Sequence, residues 1–168
     1  MFICLTVEVL ILLPLVLITW NFIHEGSHLL AASYFGKGLK EYKIKPYPHR
    51  YKDGFRFAGC YWTSNEKIST RNRAFVSLAP RVADLLAVLF LLLLAPLHSI
   101  ISIFIFIPLV MLFGAGLVDF FVGSIGNSPN SDLARAAKGL NISEQYIRIP
   151  GFSIITLTVL LFFIILFV

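Results

Sequence analysis

The sequence predicts an all-α polytopic membrane protein: about four transmembrane helices, with a small β-hairpin on the cytoplasmic side between the first and second. Three observations predict this class. Apolar residues make up 58% of the 168-residue chain and charged residues only 14%, against roughly 45–50% and about 25% in soluble domains. The mean hydropathy is +0.84. The apolar residues also gather in four runs, each near the roughly 20 residues needed to cross a hydrocarbon core. Together these exclude a disordered tail, a secreted disulfide scaffold and a soluble enzyme with an ordinary polar surface.

The first span is read over residues 2–34. It lacks the basic leader and small-residue cleavage site of a signal peptide, and its apolar run is too long for one. It is therefore expected to remain as a helix, with Pro14 tolerated inside it. The second and third spans are read over 75–97 and 100–122, and a short, wholly apolar fourth over 152–168. The whole chain, 1–168, is read as one membrane-embedded domain. Between the first two spans, Leu39–Lys45 alternates, Pro46 and Pro48 interrupt, Asp53-Gly54 signals a turn, and Gly54–Trp62 alternates again. That pattern predicts a β-hairpin at the membrane face. Between the last two spans, Ser131 is placed to cap a short helix, Asp132 to Lys138, with Gly139 as its stop.

Charge sets the expected orientation. Ten of the 14 Lys and Arg residues lie between the first two spans, and Arg135, Lys138 and Arg148 lie between the last two. Basic loops stay in the cytoplasm, which puts loops 35–74 and 123–151 inside and both termini outside. The net charge of +5 is thus a topology signal, and no nucleic-acid partner is expected. On the cytoplasmic side, Asn141-Ile142-Ser143 is a chance sequon. Cys4 and Cys60 sit in unlike contexts, one apolar and one polar, so neither a disulfide nor a cysteine metal site is expected.

The chemistry lies in the first span. His24-Glu25-Gly26-Ser27-His28 is an H-E-x-x-H pattern on a segment read as helix. Residues four apart share a helical face, so both imidazoles can reach one Zn²⁺. Glu25, one step around the helix, is placed to take a proton from the attacking water and pass it to a leaving amine. Ionisable side chains are costly within a membrane and are by default functional there. At 1.5 Å per residue, His28 lies about 13 Å and His24 about 20 Å from Lys37 at the cytoplasmic helix end. A catalytic zinc takes three protein ligands, so one more must come from elsewhere. Asp119, near the cytoplasmic end of the third span, is favoured by the cost of a charge at that depth. Asp132 has a simpler explanation, since the first turn of a helix favours an acid.

At this point the sequence resembles the site-2 protease family of intramembrane zinc metalloproteases. Three stretches carry the resemblance. His24 to His28, followed by Leu29 to Gly36, looks like that family's H-E-x-G-H and A-x-x-F-G. Ser77 to Asp84 is similar to its Gly-Pro helix with a later Asn. Asn127 to Asp132 looks like a degenerate form of its N-x-x-P…D-G segment. The family's membrane-associated β element also matches the expected hairpin. The chain departs from the family at Ser27, at Asp84 in place of Asn and at Leu133 in place of Gly, and it reads as a compact member without a PDZ-like domain. The resemblance implies that Asp132 is the third zinc ligand, with Asp119 the alternative or the residue that orients a ligand histidine.

The expected function is therefore a zinc-dependent metalloendopeptidase that cleaves peptide bonds in or near transmembrane segments. Its expected partners are a membrane-protein or peptide substrate and the lipid bilayer. A catalytically inactive metal-binding membrane adaptor of the same fold is the alternative. The remaining polar residues have plainer readings. Arg81 and Asp84 form an ion pair three apart on one helix, or Asp84 positions a substrate strand. Glu8 either pairs within the bundle or marks a water path. His49 is interfacial, and His98 lies in the external turn, away from the motif.

Overall fold

The computed structural model describes residues 2–51, 54–56, 58–125 and 131–167. Helix α1 (Phe2–Phe35) runs unbroken through Pro14. It ends where Lys37 (φ 49°) and Gly38 (φ 103°) turn left-handed. There the Gly38 N–H bonds to the Ser33 carbonyl at 2.8 Å, a close that reverses the chain. Strand β1 (Leu39–Lys45) leaves this turn. It pairs antiparallel with β4 (Gly59–Ser64), in a register that sets Leu39 opposite Ser64 and Ile44 opposite Cys60. Between them, β2 (His49–Tyr51) and β3 (Gly54–Arg56) form a second two-stranded ribbon. Asp53 of the expected turn lies outside the described residues.

The expected hairpin is present between the first two long helices. The reversal at Gly38 sends it back along α1. Asn21 Nδ2 donates to the Pro46 carbonyl at 2.9 Å. Asn21 precedes Phe35 by 14 residues, about 21 Å along a helix axis. The far end of β1 therefore lies beside α1 within a turn of His24.

Helix α2 (Thr70–Leu94) is capped by Ser69, whose hydroxyl accepts from the Asn72 N–H at 3.2 Å, and it continues into a 3₁₀ turn at Ala95–Leu97. The cap starts the helix before the expected 75, so Arg71 and Arg73 ride on its first turns. Helix α3 (Ile103–Ile125) follows. Ser131 caps α4 (Asp132–Leu140), and α5 (Gln145–Phe167) ends the chain. Helix α5 begins before the expected 152 and passes through Pro150-Gly151. Gly151 lets α5 approach Phe120, whose ring would lie 2.5 Å from any Cβ there.

Among the described residues, four segments are long and apolar enough to cross a membrane: Val9–Phe35, Thr70–Leu97, Ile103–Gly123 and Gln145–Ile165. This fits a multi-pass membrane protein. Large apolar side chains such as Leu10, Leu30, Leu93, Phe104 and Leu157 face outward. The interior between helices mixes small residues, with Ala32, Ala74, Ala87, Ala95 and Ala136 all buried, with larger ones such as Trp20, Leu91, Phe120 and Leu133. Hydrophobicity gives no drive for association when the solvent is lipid, so close backbone approach has to supply it. One cluster, Ala32, Ile68 and Val76 with Phe35, Leu39 and Trp62 packed on it, joins α1, the hairpin and the start of α2.

Helix α4 differs from its expected end. Gly139 lies inside the helix, and Asn141 in the left-handed conformation (φ 56°) closes it. Gly139 is required by packing: a Cβ there would sit 2.8 Å from Ala74 Cβ and 3.0 Å from the Thr70 carbonyl. This contact docks α4 on α2. Gly139→Ala should therefore destabilise the fold by about 1–3 kcal/mol through overpacking, whereas Asn141→Gly should be neutral or slightly stabilising. Denaturation midpoints of the detergent-solubilised variants would check both.

Candidate metal centre

His24 and His28 lie on one face of α1, their rings meeting edge to face with centroids 5.4 Å apart. Each ring has one nitrogen already engaged. His28 Nδ1 is 2.8 Å from the Val76 carbonyl of α2. His24 Nδ1 is 2.5 Å from Asp119 Oδ2 of α3. An imidazole that donates through Nδ1 carries its lone pair on Nε2, so both rings present Nε2 as an acceptor. Both Nε2 atoms face a single oxygen, Asp132 Oδ2, at 3.4 Å each.

That oxygen arrives from the first turn of α4. Ser131 Oγ accepts from the Ala134 N–H at 3.2 Å and fixes the start of the helix. Leu133 and Ala136, fully buried, seat it in the bundle. Arg135, one turn on, holds the other carboxylate oxygen, Oδ1, at 3.2 Å. Burial alone would raise the Asp132 carboxyl, but when the imidazoles beside it are protonated, hydrogen bonds and charge from His24 and His28 outweigh burial and hold the group well below the usual carboxylate range. Asp132 is thus ionised at neutral pH.

His24, His28 and Asp132 each offer one ligand atom within 4.8 Å of the others. The donor set is two imidazole nitrogens and a carboxylate oxygen, as zinc takes. In a tetrahedron the ligand–ligand edge is about 1.63 times the bond length, so bonds of about 2.1 Å give edges of about 3.4 Å. The two measured nitrogen-to-oxygen separations match that edge, and the residues present fit the ion. The engagement of both Nδ1 atoms is the pattern by which ligand histidines are oriented.

The structure thus brings together His24, His28 and Asp132 and sets Asp119 on the far side of the His24 ring. Asp119 does belong to a second group, His24, Asp84 and Asp119, also within 4.8 Å. There, however, the 2.5 Å separation of His24 Nδ1 and Asp119 Oδ2 is a hydrogen bond, too short for two ligands of one ion. Glu25 is buried beside the pair at 7% exposure. Asp84 is fully buried and held by Arg81 at 2.7 Å, so it presents no surface to a substrate strand. His49 Nδ1 contacts the Tyr47 carbonyl, and His98 Nδ1 contacts the Ala95 carbonyl at the opposite end of α2 from Val76. The side chain of Glu8, and residues 126–130 of the third resembling stretch, lie outside the described residues.

Three participants were not evident from the sequence. The Val76 carbonyl is a main-chain group and leaves no side-chain signal. Arg135 had a signal, its i, i+3 spacing from Asp132. Cys60 comes beside Glu25 only through the hairpin register, near enough for that carboxylate to act on its thiol. Burial, followed by the negative charge of Glu25, pushes the Cys60 thiol up.

No curated protein and no solved structure matches the chain. A family model does: residues 15–125, about two thirds of the chain, match the DUF3267 family, described as putative zincin peptidase. The chain therefore belongs to this family of zinc metallopeptidases.

Proposed function

We propose that the protein is an intramembrane zinc metalloendopeptidase of the H-E-x-x-H type, related in mechanism to the site-2 proteases. One observation carries this reading. Two histidines of a membrane-crossing helix present their free Nε2 atoms to one carboxylate oxygen at 3.4 Å, next to a buried glutamate. His24, His28 and Asp132 would hold Zn²⁺, which when bound supplies Lewis acidity to the scissile carbonyl. Asp119 orients His24, the Val76 carbonyl orients His28, and Arg135 turns Asp132 so that Oδ2 faces the histidines.

Glu25 is the general base. Its carboxylate takes a proton from the attacking water as the water oxygen bonds to the scissile carbonyl carbon. It then delivers that proton to the amide nitrogen as the C–N bond breaks, leaving a carboxyl and an amine terminus. Burial among α1, β4 and α4 keeps bulk water away from this exchange, and the Cys60 thiol lies beside the Glu25 carboxylate. A helical substrate hides its carbonyls in hydrogen bonds and must unwind first. The β1–β4 hairpin, lying along α1 beside the histidines, offers an edge to which an unwound segment can add as a strand. Substrates are accordingly peptide bonds in or near transmembrane segments. The basic loops place residues 35–74 and 123–151 in the cytoplasm and both termini outside.

Glu25→Gln should retain one zinc per chain and lose cleavage of a membrane-inserted peptide by about 100-fold or more. Cleavage at the wild-type rate would overturn the mechanism, and wild-type protein that binds zinc but cleaves nothing would favour the adaptor. His24→Ala, His28→Ala and Asp132→Ala should each abolish stoichiometric zinc after dialysis, while Asp119→Asn should only weaken it by about 10–100-fold. Metal analysis of the purified variants separates the two carboxylates. For topology, single cysteines introduced at Lys40 and Lys138 should react with an impermeant thiol reagent only once the membrane is opened to the cytoplasmic face.

A further inference from the structure

A cation lies behind the metal centre, and neither the H-E-x-x-H chemistry nor the family match accounts for it. Arg81 sits in the middle of the bundle at 7% exposure, on a helix that crosses the membrane. A buried guanidinium is expensive in such surroundings, so its contacts define what it is for. Its Nη1 donates to Asp84 Oδ2 at 2.7 Å and to the main-chain carbonyl of Asp119 at 3.1 Å. The guanidinium carbon stands over the Phe120 ring at 5.8 Å. Asp84, which holds the guanidinium from below, is the least exposed acid among the described residues at 0%.

Helix α3 makes room for this group at one point. Gly123 is one turn beyond Asp119, and a Cβ there would overlap the Arg81 guanidinium. Trp20 makes the matching contact one turn below: a Cβ at Gly116 would lie 2.5 Å from its indole. Asp119 is thus set between two glycine contacts, one to α2 and one to α1. Its side chain reaches His24 while its backbone is gripped by Arg81. A buried guanidinium needs acceptors for its five N–H groups, and one of those it takes is the backbone of the residue that orients His24.

We propose that Arg81, held by Asp84 and admitted by Gly123, is a positioning residue for the metal centre. It fixes the rotation and height of α3 at Asp119, and thereby the aim of His24 Nε2. This rests on the reading of His24 as a metal-holding residue.

Gly123→Ala tests the idea without touching any group placed at the metal. The added methyl meets only the flexible end of Arg81, so the fold should persist while the guanidinium leaves the Asp119 carbonyl. Gly114→Ala on the same helix, where nothing lies within 4 Å, is the control. Zinc affinity measured by chelator competition should fall about 10–100-fold in Gly123→Ala and stay at the wild-type value in Gly114→Ala. The visible absorption bands of the Co²⁺-substituted protein should shift only in Gly123→Ala, and kcat should fall more than KM rises.

The double variant Arg81→Met/Asp84→Leu replaces the buried pair by apolar groups of similar size, an exchange that proteins often tolerate. It should give the same loss of zinc affinity at an unchanged thermal midpoint. Wild-type affinity and an unshifted cobalt spectrum in Gly123→Ala, or in the folded double variant, would overturn the positioning role. A wild-type chain that holds no zinc would overturn the proposed function itself.

Discussion

An imidazole has two ring nitrogens, and a histidine can be aimed only if one of them is already committed. In this bundle both commitments come from other helices: the Val76 carbonyl of α2 for His28 and the Asp119 carboxylate of α3 for His24. The relative placement of α1, α2 and α3 is therefore written into the two hydrogen bonds that leave the Nε2 atoms free. Helix α4 adds the third side of the site through Asp132. None of the four elements could be shifted by an ångström without changing where those donors point.

The same requirement explains the unusual interior. Outward-facing positions carry Leu, Ile and Phe, and among the larger side chains buried between helices stand Ala and Gly where helices approach most closely. Glycine at 116, 123 and 139 in each case admits a specific neighbour: Trp20, Arg81 and the Ala74 turn. Close approach brings polar groups within hydrogen-bond reach across helices, which is the condition for burying them in a membrane at all. Asp119 with His24, and Arg81 with the Asp119 carbonyl, are matched across helices in this way, whereas Asp84 pairs with Arg81 and Asp132 with Arg135 one turn apart on their own helices.

The hairpin is held at both ends. Its base is tied to the end of α1, where Asn65 donates to the Gly38 and Lys37 carbonyls, and its far end is tied to Asn21. Between these ties only two strands pair, so each strand keeps an unpaired edge among the described residues. Cys60 on β4 reaches Glu25, which makes the hairpin a wall of the site as well as a candidate surface for an extended chain.

The sequence alone determined the class of the protein and the nature of its chemistry. Helices of membrane-crossing length can be read from composition, because the bilayer sets a length that apolar runs must meet. His24, Glu25 and His28 can be read because helical spacing is local and their charge is costly at that depth. The cap Ser131 likewise follows from a neighbour three residues away. Contacts between elements distant in sequence could not be read this way. The residues alone left Asp119 and Asp132 in competition, since both are acids near the cytoplasmic helix ends. Only packing set one against Nδ1 and the other against both Nε2 atoms. Gly139 read as a stop because a glycine's role depends on what lies opposite it, and Ala74 lies on another helix. The approach of Cys60 to Glu25 and the reach of Arg81 to the Asp119 carbonyl likewise depend on strand register and helix rotation, which long-range packing sets and local spacing does not.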